Sequence, residues 1–145
     1  MDWKKNMKEK FSDIMLNYNL RYHIISNNSI ALIGRGFALM LMVHFDNLYV
    51  DYVMRNQEKQ LVSYYISSYI ANQFDAVDRK GIGNPKNVSE RLEAIFTIWS
   101  RGLPRHCDSL LKGEHEWIED YKQFELATGL KNIKPEIALE LSEYL

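Results

Sequence analysis

Seven consecutive apolar residues, Phe37-Ala38-Leu39-Met40-Leu41-Met42-Val43, constrain this chain more than any other feature. A β-strand turns alternate side chains to opposite faces of its sheet, so an unbroken apolar run is buried on both. The run is far short of the roughly 20 residues needed to cross a bilayer. Extending it backwards meets Arg35 between Gly34 and Gly36. It is therefore expected to be a central strand, covered by helices on at least one side. Ile30-Ala31-Leu32-Ile33 precedes it and Leu48-Tyr49-Val50-Asp51-Tyr52-Val53-Met54 follows it. Both runs are rich in β-branched and aromatic residues, the types that fit a pleated surface. Asn27-Asn28 and Asp46-Asn47 are turn pairs that tolerate left-handed backbone. The stretch from Tyr22 to Met54 thus predicts three or four antiparallel strands.

Helical spacing surrounds this core. Trp3, Met7, Phe11, Ile14, Met15 and Tyr18 recur at intervals of three and four, which predicts one amphipathic helix of about four turns. Leu61 to Phe74 reads as a helix with a broad apolar face, although its β-branched and aromatic content leaves a strand open. Asp75 to Lys86 is the longest expected loop. Asn87-Val88-Ser89-Glu90 has the form of a capping box, followed by a stripe of Leu92, Ile95, Phe96 and Trp99. Gly102 is expected to stop that helix and Pro104 to start the next. Glu114 to Thr128 predicts another helix, with Trp117, Tyr121 and Phe124 inward. Pro135 to Leu145 predicts the last, with Ile137, Leu141 and Tyr144 inward. Helix, then strands, then helices is the order of an α+β fold. The expectation is one α+β domain over residues 1–145, a small antiparallel sheet of three or four strands packed against N-terminal and C-terminal helices.

Charge narrows the classes of partner. Lys and Arg number 18 and Asp and Glu 19, a net charge of −1. This excludes, for the chain as a whole, a strongly basic nucleic-acid binder and a strongly acidic mimic of nucleic acid. The one cysteine, Cys107, excludes an internal disulfide framework and fits a reducing compartment. The lysines near the N-terminus are not followed by the roughly 7–15-residue apolar stretch of a signal peptide. A cytoplasmic protein with no membrane partner is expected.

Candidate chemistry is sparse. His106-Cys107-Asp108 sets a thiol beside an imidazole and a carboxylate, and a small enzyme could be built there with the Asp75–Lys86 loop as a lid. Adjacent residues on a helix, however, point about 100° apart, whereas a Cys–His pair must face each other. A structural zinc site would need further cysteines, so no metal and no cofactor are expected. Lys80-Gly81-Ile82-Gly83 offers amides and a cation to a phosphate, but Asn84-Pro85 follows where a nucleotide loop has a third glycine or Gly-Lys-Ser/Thr. His23, His44, His106 and His115 are scattered, with no HExxH spacing, and no Gly-x-Ser-x-Gly elbow occurs. Five of the nine tyrosines fall between Tyr49 and Tyr69, where positive charge is scarce. They fit a sheet-to-helix interface better than a base-stacking surface.

The most informative pattern is a charge asymmetry. Residues 1–105 hold 14 basic and 10 acidic side chains, and residues 106–145 hold 4 basic and 9 acidic. Glu116 and Asp120 stand at i, i+4 with Glu119 alongside, and Glu136, Glu140 and Glu143 at i, i+4, i+7. Like charges at that spacing cost a helix roughly 0.2–0.5 kcal/mol each. Acids are also ordinary on solvated faces and favourable near helix N-termini. These six residues are the candidate partner-binding set, an acidic face suited to a basic protein.

Two stretches carry a family resemblance. One is Phe45-Asp46-Asn47-Leu48-Tyr49-Val50-Asp51-Tyr52-Val53 leading into the segment at Leu61. The other is Leu110-Leu111-Lys112-Gly113-Glu114-His115-Glu116-Trp117-Ile118. Together they resemble small bacterial immunity proteins of contact-dependent inhibition and related polymorphic toxin systems. The resemblance implies a cytoplasmic, non-enzymatic protein that binds and neutralises a cognate toxin domain, often a nuclease. It carries no residue-level binding motif. An adaptor in a larger assembly would show nearly the same sequence features.

Overall fold

The computed structural model describes residues 2–145. Its centre is a six-stranded antiparallel meander in which each strand pairs with the next in sequence. The strands are β1 (Arg21–Ser26), β2 (Ser29–Ile33), β3 (Phe37–His44), β4 (Asn47–Arg55), β5 (Leu61–Tyr65) and β6 (Leu130–Asn132). The apolar run becomes β3, an interior strand buried along its length except for Met42 and the terminal His44. The β3–β4 hairpin turns on Phe45-Asp46 rather than on Asp46-Asn47, with Phe45 at φ 55°. The expected α+β class and antiparallel pairing are present, but the sheet has six strands, not three or four.

Both extra strands come from segments read otherwise. Leu61–Tyr65 is β5, in register with β4 from Asp51↔Tyr65 to Arg55↔Leu61. Only Ser67–Ala71 beyond it is helical, as α3. The Leu61–Phe74 helix is therefore corrected to a strand plus a short helix: β-branched and aromatic side chains matched a free strand edge. The short β6, exposed throughout, pairs with β5 and is supplied by a stretch with no strand signal of its own.

The N-terminal helix is two pieces, α1 (Trp3–Lys10) and α2 (Ser12–Tyr18), meeting at Phe11. Next comes α4 (Val88–His106), which runs through both Gly102 and Pro104. Gly102 does not stop it. A Cβ there would lie 2.3 Å from two ring carbons of the buried Phe74, so glycine serves close approach. The capping box is nearly as expected. Glu90 N–H donates to Asn87 Oδ1 at 2.9 Å, while Glu90 Oε2 accepts from Lys86 N–H at 2.6 Å, one residue earlier than the motif implies. After α5 (Asp108–Leu111), α6 spans only Trp117–Lys122, not Glu114–Thr128, and α7 only Pro135–Leu141.

The sheet has two unequal faces. Ile30, Leu32, Phe37, Leu39, Leu41, Val50, Tyr52 and Tyr64 point to one side and form the main core with α1, α2, α4, α5 and α6. Tyr52, Tyr64, Tyr69 and Tyr121 ring Trp117 with centroids 4.8–6.2 Å away, the expected tyrosine-rich sheet-to-helix interface. Ala31, Ile33, Ala38, Met40 and Val53 point to the other side. There they meet Leu141 of α7 and, partly buried, Ile137 and Tyr144.

Candidate functional site

The three adjacent residues His106, Cys107 and Asp108 go to three different places. Cys107, 5% exposed, points into the main core. Burial pushes its thiol up to about 12, the opposite of what a nucleophile requires. Asp108 opens α5, accepting from the Tyr18 phenol at 2.5 Å and pairing with Lys112 at 2.9 Å. These two contacts lower its carboxyl, and the Tyr18 bond ties α2 to α5. His106, the last residue of α4, turns to the long loop instead, with Nε2 2.9 Å from Asp78 Oδ2.

That contact belongs to a clasp. Asp78 is 0% exposed, and its carboxylate is bonded by Asp75 N–H at 2.9 Å, Arg105 Nη1 at 2.6 Å and His106 Nε2. Arg105 Nη1 also reaches Asp75 Oδ1 at 2.8 Å. Burial alone would raise the Asp78 carboxyl, but the Asp75 amide, Arg105 and His106 together hold it below the ordinary aspartate value. The Arg105 hydrogen bond holds Asp75 lower still. Arg101 adds a bond from Nη1 to the carbonyl of Lys80 at 2.5 Å. The first half of the loop is thereby fastened to α4, not hinged over Cys107. Asp75, Asp78 and His106 bring ligand atoms within 4.8 Å of one another, a donor set that could hold a divalent ion. The guanidinium of Arg105 already supplies the cation these carboxylates need.

The remaining motifs are dispersed. Lys80-Gly81-Ile82-Gly83 lies between α3 and α4 with no strand before it, and Lys80 turns its carbonyl to Arg101. His23 pairs with Glu140 at 2.7 Å, His44 stacks edge-on with Phe45, and His115 lies edge-on to Tyr52.

The six acidic candidates are all exposed, but they do not form one face. Glu116, Glu119 and Asp120 stand on or beside α6, whose Trp117, Ile118 and Tyr121 enter the main core. Glu136, Glu140 and Glu143 stand on or just past α7, whose Leu141 enters the small core across the sheet. The sheet separates the two sets. Their surroundings differ as well. From Glu114 to Leu126 the exposed acids Glu114, Glu116, Glu119, Asp120 and Glu125 share their stretch with one lysine, Lys122, which lies 3.5 Å from Glu119, and Lys112, just before it, acts on Glu114. Asp120 also accepts from the Tyr69 phenol at 2.7 Å. Leu126 is 64% exposed at the end of this stretch. Around α7 the acids are locally balanced. Glu140 has His23, Arg21 lies over the Tyr144 ring, and Arg55 donates to the carbonyls of Ser142 and Leu145.

Among the described residues, no helix is long and apolar enough to cross a membrane. Neither a family model, nor a curated protein, nor a solved structure is matched by this chain.

Proposed function

We propose that this chain is a binding protein that neutralises a cognate toxin domain in the cytoplasm, docking through the acidic surface from Glu114 to Leu126. The observation that carries the reading is the one-sided charge of that surface. Five exposed acids lie on it, while Trp117, Ile118 and Tyr121 of the same segment are committed to the core. A nuclease toxin must meet phosphate, so its working surface is basic. Acids facing such a surface accelerate and orient association, while each exposed pair adds little affinity. Leu126 supplies an apolar contact at the edge of the acidic stretch. The enzyme alternative at His106-Cys107-Asp108 is disfavoured by the buried, hard-to-ionise thiol and by the engagement of His106 in the clasp.

The test is co-expression and co-purification with the product of the neighbouring upstream gene, followed by association kinetics at low salt. Glu116→Lys with Glu119→Lys should slow association by about tenfold and flatten its salt dependence. Glu136→Lys with Glu143→Lys, across the sheet, should leave association unchanged. Equal rates for the α6 pair and the unmodified protein, with both folded, would remove α6 as the docking face. No partner beside the gene would remove the toxin reading itself.

A further inference from the structure

The second face of the sheet is only partly covered. Beside α7 lies a groove of about 730 Å³, running from the β1–β2 turn to β6. That volume falls in the range of small-molecule sites, about 300–1,000 Å³. Its floor is apolar, with Met40, Met42 and Val53 from the sheet and Ile137 from α7. One charged group interrupts the floor. Asp51, at the middle of β4, stands in register between Met40 on β3 and Tyr65 on β5. It is half-buried, and among the described residues its carboxylate enters no hydrogen bond or ion pair, with Lys131 the cation that acts on it. Burial raises the Asp51 carboxyl above the ordinary aspartate value, and Lys131 only partly offsets this. The rim carries Lys131, Lys134, Glu136 and Glu140, and Glu140 already pairs with His23 at 2.7 Å. With Asp51 the groove lining holds three carboxylates against two lysines.

We propose that this groove is a binding site for a small organic ammonium ion, with the cationic head on the Asp51 carboxylate and the apolar body over Met40, Met42 and Ile137. Three features of the groove favour that class. A carboxylate with no internal donor is a strong acceptor for a charged N–H. Tyr65, opposite Asp51 in register and lining the groove, adds an aromatic ring of the kind that attracts a cation. Unbranched methionines adapt to an apolar body of irregular shape. An anionic ligand would meet Asp51 unpaired, and a neutral apolar one would bury it without a partner, which is costly. The groove lies across the sheet from α6, so its failure as a site would leave the docking proposal standing, and the reverse holds too.

The test uses phenethylamine hydrochloride as probe, titrated at neutral pH into uniformly ¹⁵N-labelled protein and followed by amide shifts. Saturable shifts should centre on Met40, Asp51, Ser63 and Tyr65. The neutral isostere 2-phenylethanol should bind at least tenfold more weakly. Asp51→Asn, which keeps the shape of the side chain, should abolish the preference for the amine. Glu136→Lys is an exposed rim change that keeps the proposal testable should Asp51→Asn fail to fold, and it should weaken amine binding several-fold. Equal binding of amine and alcohol would overturn the proposal. So would amine shifts that persist in Asp51→Asn, or shifts that gather on the acidic α6 surface instead.

Discussion

Replacing Gly102 with alanine sets two effects of opposite sign against each other. In an exposed helix the change would be favourable, since glycine is less helix-forming than alanine by about 0.8–1.0 kcal/mol. At this position the added methyl group would lie 2.3 Å from Cδ1 and Cε1 of Phe74 and 3.2 Å from Cγ. The ring has little room to withdraw. It is 8% exposed, packs edge-on against Trp99 at 5.2 Å and lies 6.3 Å from His106. The Phe74 carbonyl is held as well, by Arg79 Nη1 at 3.0 Å. Overpacking a filled core typically costs about 1–3 kcal/mol, and an overlap this deep belongs at the upper end. The net expectation is a loss of about 1–2 kcal/mol, or ~3–7 °C in Tm for a chain of this length. Thermal and urea unfolding would measure it. Phe74→Ala alone should cost about 3–5 kcal/mol. Combined with Gly102→Ala it should cost at least ~1 kcal/mol less than the two added, because the methyl group then enters the vacated space. A Gly102→Ala protein as stable as the parent, or more so, would refute the close approach. It would make Gly102 an ordinary helix position.

The clasp gives a prediction in pH. The carboxyls of Asp75 and Asp78 are lower in the folded protein than in the unfolded chain. Their contribution is therefore present above the unfolded value, near pH 4, and is lost as pH falls through the folded values. Acid unfolding should steepen below about pH 4. Arg105→Leu should be less stable than the parent at neutral pH, and the gap should narrow on acidification as the abandoned Asp78 takes up a proton. Limited trypsin digestion at neutral pH should cut the Arg105→Leu protein first at Arg79 or Lys80, and an unchanged cleavage pattern would argue against the clasp. A third prediction concerns the main core. Tyr52 Oη and Trp117 Nε1 are both buried, and although the two side chains adjoin, no well-formed hydrogen bond joins them. Tyr52→Phe should leave stability unchanged or raise it by up to about 1 kcal/mol in urea unfolding. A loss above that size would show that the hydroxyl is paired after all.

Local signals carried the β1–β4 hairpins and the inward stripes of α6 and α7, because period and turn chemistry are properties of neighbouring residues. β5 was ambiguous for a physical reason. Val62, Tyr65, Ile66, Tyr69 and Ile70 suit either a buried strand or a buried helix, and only the free edge of β4 decides between them. Gly102 was misread because the reason for a glycine there is Phe74, 28 residues earlier and on another element. The clasp was hidden in the same way. Asp75 and Asp78 read as loop residues until Arg105 and His106 meet them from the end of α4. The two acidic sets looked alike in sequence and were separated only by which side of the sheet each helix packs against.

That division of the sheet also accounts for the groove. Large side chains on the first face, including Phe37, Leu39 and Tyr52, demand several helices to cover them. The second face mixes the small Ser29, Ala31, Ala38 and Ser63 with Ile33, Met40 and Val53, and is met by one seven-residue helix. A helix of that length extends about 10 Å. Six strands at about 4.8 Å spacing present a face some 24 Å across. No placement of α7 alone can cover it, and at its edge the floor changes from alanine to Met40, Met42 and Asp51. Alanines lie under the helix because they allow close approach. Met40 reaches from under the helix into the groove, and Met42 lies half-exposed beyond it. An aspartate at the centre of β4 has no role in covering the sheet, and an apolar residue there would have covered the strand better. Its position supports the groove as a place where something is bound.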